Sequence, residues 1–100
     1  MKVEVSDQTA LISLTPSLDM ASAEHLLELF VDSDNKSLNL KIDASAVEKV
    51  STACIQIMHS AAISCIEAGR SFQISDASDA LVTAFKDLGL YANISMTDEK

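Results

Sequence analysis

The chain has 100 residues, of which 48% are hydrophobic, two are glycine and one is proline; this is enough for one compact core and predicts a single domain over residues 1–100. Its formal net charge of −8 produces a field that repels phosphate backbones and anionic lipid headgroups, so we expect no nucleic acid and no membrane surface as partner. No apolar run approaches the roughly 18 residues that span a bilayer, and residues 1–8 lack the apolar centre of a signal peptide, so we expect a cytoplasmic protein.

Two short strands are predicted at the start of the chain. Polar and apolar residues alternate from Lys2 to Ser6 and again from Thr9 to Leu14, as in strands that bury one face. The turn-forming residues Asp7 and Gln8 lie between them. The sequence therefore predicts a β-hairpin.

A helix and a third strand are predicted next. Helical spacing over residues 21–31 places five apolar residues on one face: Ala23, Leu26, Leu27, Phe30 and Val31. The polar residues from Asp32 to Asn35 are expected to end this helix. The alternation over residues 37–42 then predicts a strand with Leu38, Leu40 and Ile42 facing inward.

A second helix is predicted from Thr52 to Ala68, with Gly69 as its left-handed cap. Its apolar face contains Cys54, Ile55, Ile57, Met58, Ala61, Ala62, Cys65 and Ile66. A short strand over residues 71–75 follows, with Phe72 and Ile74 inward.

A third helix is predicted to begin at Ser78 and to end at Gly89. Its buried face contains Leu81, Val82, Phe85 and Leu88. The polar residues 97–100 are expected to be a frayed terminus. The order β-β-α-β-α-β-α predicts an α/β fold, a small mixed β-sheet packed by helices with right-handed crossovers between parallel strands.

A search for catalytic or cofactor chemistry finds little. His25 and His59 have no cysteine, histidine or carboxylate at metal-ligand spacing, and two glycines cannot form a nucleotide-binding glycine loop. We therefore expect no cofactor, no metal and no enzymatic activity. A nucleophilic Cys54 at a helix start remains the residual enzyme alternative, although no base is evident for it. Cys54 and Cys65 would lie about 16 Å apart on one helix, too far for a disulfide.

Two hydroxyl residues, Ser51 and Thr52, stand directly in front of the second predicted helix. Either could accept hydrogen bonds from exposed backbone N–H groups as a plain N-cap, worth about 1 kcal/mol. Alternatively, phosphorylation of Thr52 would place about −1.5 to −2 charges near the positive end of the helix. Both interpretations remain open from the residues alone.

Nearly the whole chain resembles a STAS domain, the fold shared by bacterial anti-sigma factor antagonists and the cytoplasmic tails of sulfate transporters. The second helix of that family opens on an Asp-Ser-Ser-Gly-Leu or Asp-Thr-Ala-Gly-Leu motif, where this chain has Ser51, Thr52, Ala53, Cys54 and Ile55. The upstream segment LTPSLD matches the family's apolar strand, turn and Leu-Asp pair, so Asp19 corresponds to that aspartate. The chain departs from the motif at Ser51, which replaces the aspartate, at Ala53, which replaces the second serine, and at Cys54, which replaces the glycine.

The resemblance implies a regulatory protein-interaction module for signal transduction. Its partner would contain a histidine-kinase-type ATP-binding domain, either a chemotaxis or two-component kinase or an anti-sigma factor, and Thr52 would be the phosphorylation site. The alternative is a constitutive STAS subunit of a phospholipid-transport ABC ATPase complex. We expect partner contacts at Asp19, Ser51, Thr52, Ala53 and Gln56, and a monomer or weak homodimer.

Overall fold

The computed structural model describes residues 1–89 and 95–98, which contain seven strands and three helices. The strands are β1 (Lys2–Ser6), β2 (Thr9–Ser13), β3 (Ser17–Leu18), β4 (Asn39–Asp43), β5 (Lys49–Val50), β6 (Phe72–Ala77) and β7 (Ser95–Asp98). The helices are α1 (Met20–Asn35), α2 (Thr52–Glu67) and α3 (Asp79–Asp87). The predicted mixed α/β architecture is confirmed.

The main sheet has the order β1-β2-β4-β6-β7. Strands β1 and β2 form the predicted antiparallel hairpin, and their two-residue turn has positive φ at both Asp7 and Gln8, as a type I′ turn requires. The other neighbours are parallel. Parallel neighbours need crossover connections, and helices α1, α2 and α3 supply them.

The core lies on one face of this sheet. Alternation turns Ala10, Ile12, Leu40, Ile42, Phe72 and Ile74 to that face, where all are buried. They join the buried residues of the helices, including Leu26, Phe30, Ile55, Met58 and Phe85, in one cluster. Residues that point to the other face, such as Lys41 and Gln73, are exposed.

Both predicted glycine caps have left-handed backbones, with φ of +76° at Gly69 and +71° at Gly89. The side chains of Cys54 and Cys65 are buried, and both thiols are free. Among the described residues, no helix is long and apolar enough to cross a membrane.

Several sequence predictions need correction. Helix α1 continues through the polar segment predicted to end it, to Asn35, and Ser33 is buried there. Four residues predicted to face inward are about half exposed: Leu27, Val31, Ile66 and Leu88. Thr97 and Asp98, predicted to fray, belong to β7, whereas residues 99–100 lie outside the described part of the chain.

Candidate functional site

Two very short strands bring the beginnings of α1 and α2 together. In the small parallel pair, Leu18 of β3 lies opposite Val50 of β5. The next residue of each segment, Asp19 or Ser51, is the N-cap of the following helix. The backbone N–H of Ser51 donates to the carbonyl of Leu18 over 2.8 Å, which holds the two helix starts side by side.

The N-cap of α2 is Ser51. Its backbone is extended, and its hydroxyl accepts a hydrogen bond from the N–H of Cys54 over 3.3 Å. The N–H of Ile55 donates to the Ser51 carbonyl, which closes the first helical turn. Ser51 therefore takes the capping role that the sequence left open between the two hydroxyl residues.

Thr52 is the first residue of α2, and its side chain is exposed. Within the described part of the chain, its hydroxyl makes no hydrogen bond. It can therefore contact a partner or be modified without loss of the cap.

Asp19 caps α1 through its carboxylate, which accepts from the N–H of Ser22 over 3.0 Å. The hydrogen bond from the Ser22 backbone, with a smaller contribution from the Ser22 side chain, lowers the pKa of Asp19 below its ordinary value of 3.8. The carboxylate is exposed and ionised at neutral pH. It places a negative charge beside the start of α2.

Cys54, on the buried side of α2, contacts the segment that leads into α1. Its side chain is fully buried, and Sγ lies 3.4 Å from the carbonyl oxygen of Asp19 and 3.7 Å from that of Leu18. A thiol in this position is a weak donor and a small packing group. Since it has no exposed surface, the structure gives no support to the alternative that made Cys54 a nucleophile.

The remaining predicted contact residues lie on the first two turns of α2. Gln56 is exposed four positions after Thr52, so the two side chains share a face of the helix. Ala53 is half-buried and packs against the core. We call Asp19, Ser51, Thr52, Ala53 and Gln56 the helix-start surface.

Sequence reasoning missed one neighbour of this surface. Met20, the first residue of α1, is 69% exposed. Its side chain adds exposed apolar surface next to the capping residue Asp19. Its position in the sequence could have indicated this, because Met20 directly follows Asp19, which was already predicted as a contact residue.

A crevice of about 310 Å³ separates the outer sides of α1 and α2. Its wall is mainly apolar and includes Leu27, Val31, Ile57 and Ala61, with Gln56 also lining it. The described residues contain no cluster of three or more His, Cys, Asp or Glu side chains that could hold a metal ion.

The family assignment follows from the match of residues 1–95 to the family model described as "Mlab, STAS domain". The chain belongs to the STAS domain family. The helix-start surface of this STAS domain includes Ser51, Thr52 and Ala53, the first three residues of the Ser-Thr-Ala-Cys-Ile segment.

Solved structures share the fold of this STAS domain. A solution structure of TM1081 has a TM-score of 0.82 and 14% identity, with 97% of this chain and 79% of that chain covered. A crystal structure of the Thermotoga maritima protein, provisionally assigned there as an anti-sigma factor antagonist, has a TM-score of 0.80 and 12% identity, with 97% and 85% covered. Among proteins with curated functions, no sequence matches the chain significantly.

Proposed function

We propose that this STAS domain is a non-enzymatic regulatory module that docks through the helix-start surface on a protein with a histidine-kinase-type ATP-binding domain. A chemotaxis or two-component kinase and an anti-sigma factor are the two partner types. The supporting observation is that the two neighbouring hydroxyl residues have different roles. Ser51 caps α2, and the exposed Thr52 makes no hydrogen bond within the described part of the chain.

Phosphorylation of Thr52 is the proposed switch. A phosphate at the first helical residue would be attracted by the N-terminal end of the α2 dipole. The same group would add about −1.5 to −2 charges at a helix start that is paired with the one capped by the ionised Asp19. A complex formed around a neutral Thr52 would then be released by like charge and by the cost of desolvating the phosphate.

The second candidate is a constitutive STAS subunit of a phospholipid-transport ABC ATPase complex. The motif favours it in one respect: Thr52 and Ala53 match the Thr-Ala pair of the Asp-Thr-Ala-Gly-Leu form, and Ala53 lacks the second hydroxyl of the Asp-Ser-Ser-Gly-Leu form. In this case the same surface contacts an ATPase, and Thr52 is an unmodified interface residue.

Affinity purification from the source cells tests the docking surface. Tagged wild type, Thr52→Asp and Thr83→Asp are compared, with retained proteins identified by mass spectrometry. Thr83 is an exposed threonine of α3, so it controls for the added charge. We expect wild type and Thr83→Asp to retain an ATP-binding kinase, an anti-sigma factor or an ATPase, and Thr52→Asp to lose it.

Equal retention of the partner by all three proteins would contradict docking through Thr52. The identity of the retained protein separates the two candidates. Intact-mass and peptide analysis of the purified wild type, with and without phosphatase treatment, then tests the switch. A partner that is lost with Thr52→Asp while Thr52 is never modified in the cells would favour the constitutive subunit.

A further inference from the structure

Strand β1 is an open edge of the main sheet. It pairs with β2 on one side only, over five consecutive residue pairs without a bulge. Val3 and Val5 are 39% and 58% exposed. Proteins usually protect such an edge with a proline, a bulge or charged side chains. Strand β1 contains no proline and pairs without a bulge, and its two charged residues, Lys2 and Glu4, have opposite signs.

The hydrogen-bonding direction of each β1 residue follows from β2. The N–H of Leu14, which continues β2, donates to Asp43 at the end of β4 over 3.0 Å, so even-numbered residues of this segment bond toward β4 and odd-numbered residues toward β1. Lys2, Glu4 and Ser6 lie opposite the odd-numbered residues. The backbone groups of Val3 and Val5 therefore point away from the sheet and can accept another strand.

Charge complementarity selects the occupant and its register. If two copies of β1 pair antiparallel about a two-fold axis at Val3, Lys2 of each copy lies opposite Glu4 of the other, and Val3 lies opposite Val3. A register centred on Glu4 also uses the outward backbone groups of β1, with Val3 of each copy paired with Val5 of the other, but it places two carboxylates directly opposite each other. The Glu4-centred register therefore brings like charges together, whereas the Val3-centred register forms two pairs of opposite charge.

The net charge of −8 limits where two copies can meet. Because most of the surface is acidic, two copies repel each other over most of it. Strand β1 carries one lysine and one glutamate, so its own charges cancel. We propose that a second copy of this chain pairs with β1 in the Val3-centred register and forms a continuous sheet across a weak homodimer.

This interface is separate from the helix-start surface, because it involves no residue of α1 or α2. The proposal therefore does not depend on the identity of the docking partner. A single five-residue strand supplies few hydrogen bonds and little buried area, so the dimer is expected only at high concentration.

Disulfide trapping tests the register. Opposite residues in a hydrogen-bonded antiparallel pair have Cα atoms about 5.5 Å apart, within the range for a disulfide. Val3→Cys is therefore expected to form a covalent dimer under mild oxidation. Val5→Cys is the matched control, since its Cα atoms would lie about 14 Å apart in this register. The two native thiols are buried and should not compete.

Sedimentation equilibrium of chains without added cysteines tests the charge pairing. Lys2→Glu and Glu4→Lys should each weaken dimerisation about tenfold or more, and the double exchange should restore it, because it re-forms both pairs with the charges reversed. Val3→Pro should abolish dimerisation while the β1–β2 pairing persists, since the lost N–H points outward.

Circular dichroism melting confirms that each variant is folded. If Val3→Pro does not fold, the charge series alone decides. Monomers throughout the concentration range up to about 1 mM would overturn the proposal, as would equal trapping of Val3→Cys and Val5→Cys. Failure of the double exchange to restore association would also overturn it.

Discussion

Ser51 and Thr52 are adjacent in the chain, yet only one of them supports the helix that follows. The sequence predicted that a hydroxyl would cap α2 but could not choose, because both residue types are good N-caps. The choice depends on where β5 ends: its pairing with β3 fixes Val50, so Ser51 takes the cap position. Thr52 is thereby turned to solvent.

Ser51→Ala should lower the free energy of unfolding by about 1 kcal/mol, because the N–H of Cys54 loses its acceptor. Thr52→Ala should change it by less than about 0.5 kcal/mol, as is usual for an exposed residue without such a role. Urea denaturation of both variants and wild type measures this. A Thr52→Ala loss as large as that of Ser51→Ala would contradict the assignment of the cap.

Asp19 makes the stability of α1 depend on acid pH. Its folded pKa is lowered, first by the hydrogen bond from the Ser22 backbone, so its charged form contributes stability that is present above the ordinary pKa of 3.8. That contribution disappears as the pH falls through the lower folded value.

Asp19→Asn is the matched control, since asparagine is also an N-cap but does not titrate. We expect wild type to exceed the variant in unfolding free energy at pH 7 and the difference to vanish as the pH falls below 3.8. Urea melts at a series of pH values measure it, and NMR titration of the Asp19 carboxyl gives the pKa directly. A difference that grows toward acid pH would contradict the sign of the shift.

At the scale of elements, residue periodicity located the helices but not the width of their covered faces. Leu27 and Val31 share the apolar side of α1 with buried Leu26 and Phe30, yet they are about half exposed because they border the open crevice toward α2. The strands β3 and β5 are too short for any alternation. They form because distant segments meet, and no local pattern carries that information.

Arg70, which follows α2, contacts both the last turn of α1 and the connection between α1 and β4. Its guanidinium donates to the carbonyl of Leu38 over 2.7 Å and pairs with Asp34. The carbonyl belongs to a buried residue, whereas the Asp34 side chain is 59% exposed. The two bonds should therefore differ in their contribution to stability.

Arg70→Ala should cost about 1–3 kcal/mol of unfolding free energy, since the Leu38 carbonyl loses a donor in a partly buried place. Asp34→Asn should cost less than about 1 kcal/mol, because the carboxylate of this pair is exposed and water screens its charge, although the Arg70 side chain itself is only 11% exposed. Denaturant unfolding of both variants separates the two contacts. Equal losses would mean that the ion pair, and not the carbonyl bond, holds the connection.

At the scale of the whole molecule, the sequence was sufficient to predict the fold class and the family. The apolar patterns of the strands and helices indicated the fold class, and the motif at the start of α2 indicated the family. It was insufficient for the geometry of the site. Asp19 and Ser51 are brought together by the pairing of β3 with β5 across more than thirty positions. Their shared location was expected from the family motif alone. The hydrogen bond from the Ser51 N–H to the Leu18 carbonyl, which holds the two helix starts together, joins residues too far apart in the chain for a local pattern to predict it.

The acidic balance of the whole chain makes its stability depend on ionic strength. With a net charge of −8, the compact state suffers self-repulsion that salt screens. Opposing this, salt weakens surface ion pairs such as Lys36–Asp32, in which both side chains are more than 60% exposed, but exposed pairs of this kind contribute little. Screening of repulsion should therefore dominate.

We expect the melting temperature at pH 7 to rise as NaCl increases from about 10 mM to about 150 mM, a range that shortens the Debye length from about 30 Å to about 8 Å. The same addition near the isoelectric pH of about 4.4 is the control, because there the net charge, and with it most of the repulsion, is absent. Calorimetry at both pH values measures the effect. A salt-induced fall in melting temperature at pH 7 would mean that attractive charge contacts outweigh the net repulsion, and that the acidic surface is organised into ion-pair networks instead of being mainly self-repelling.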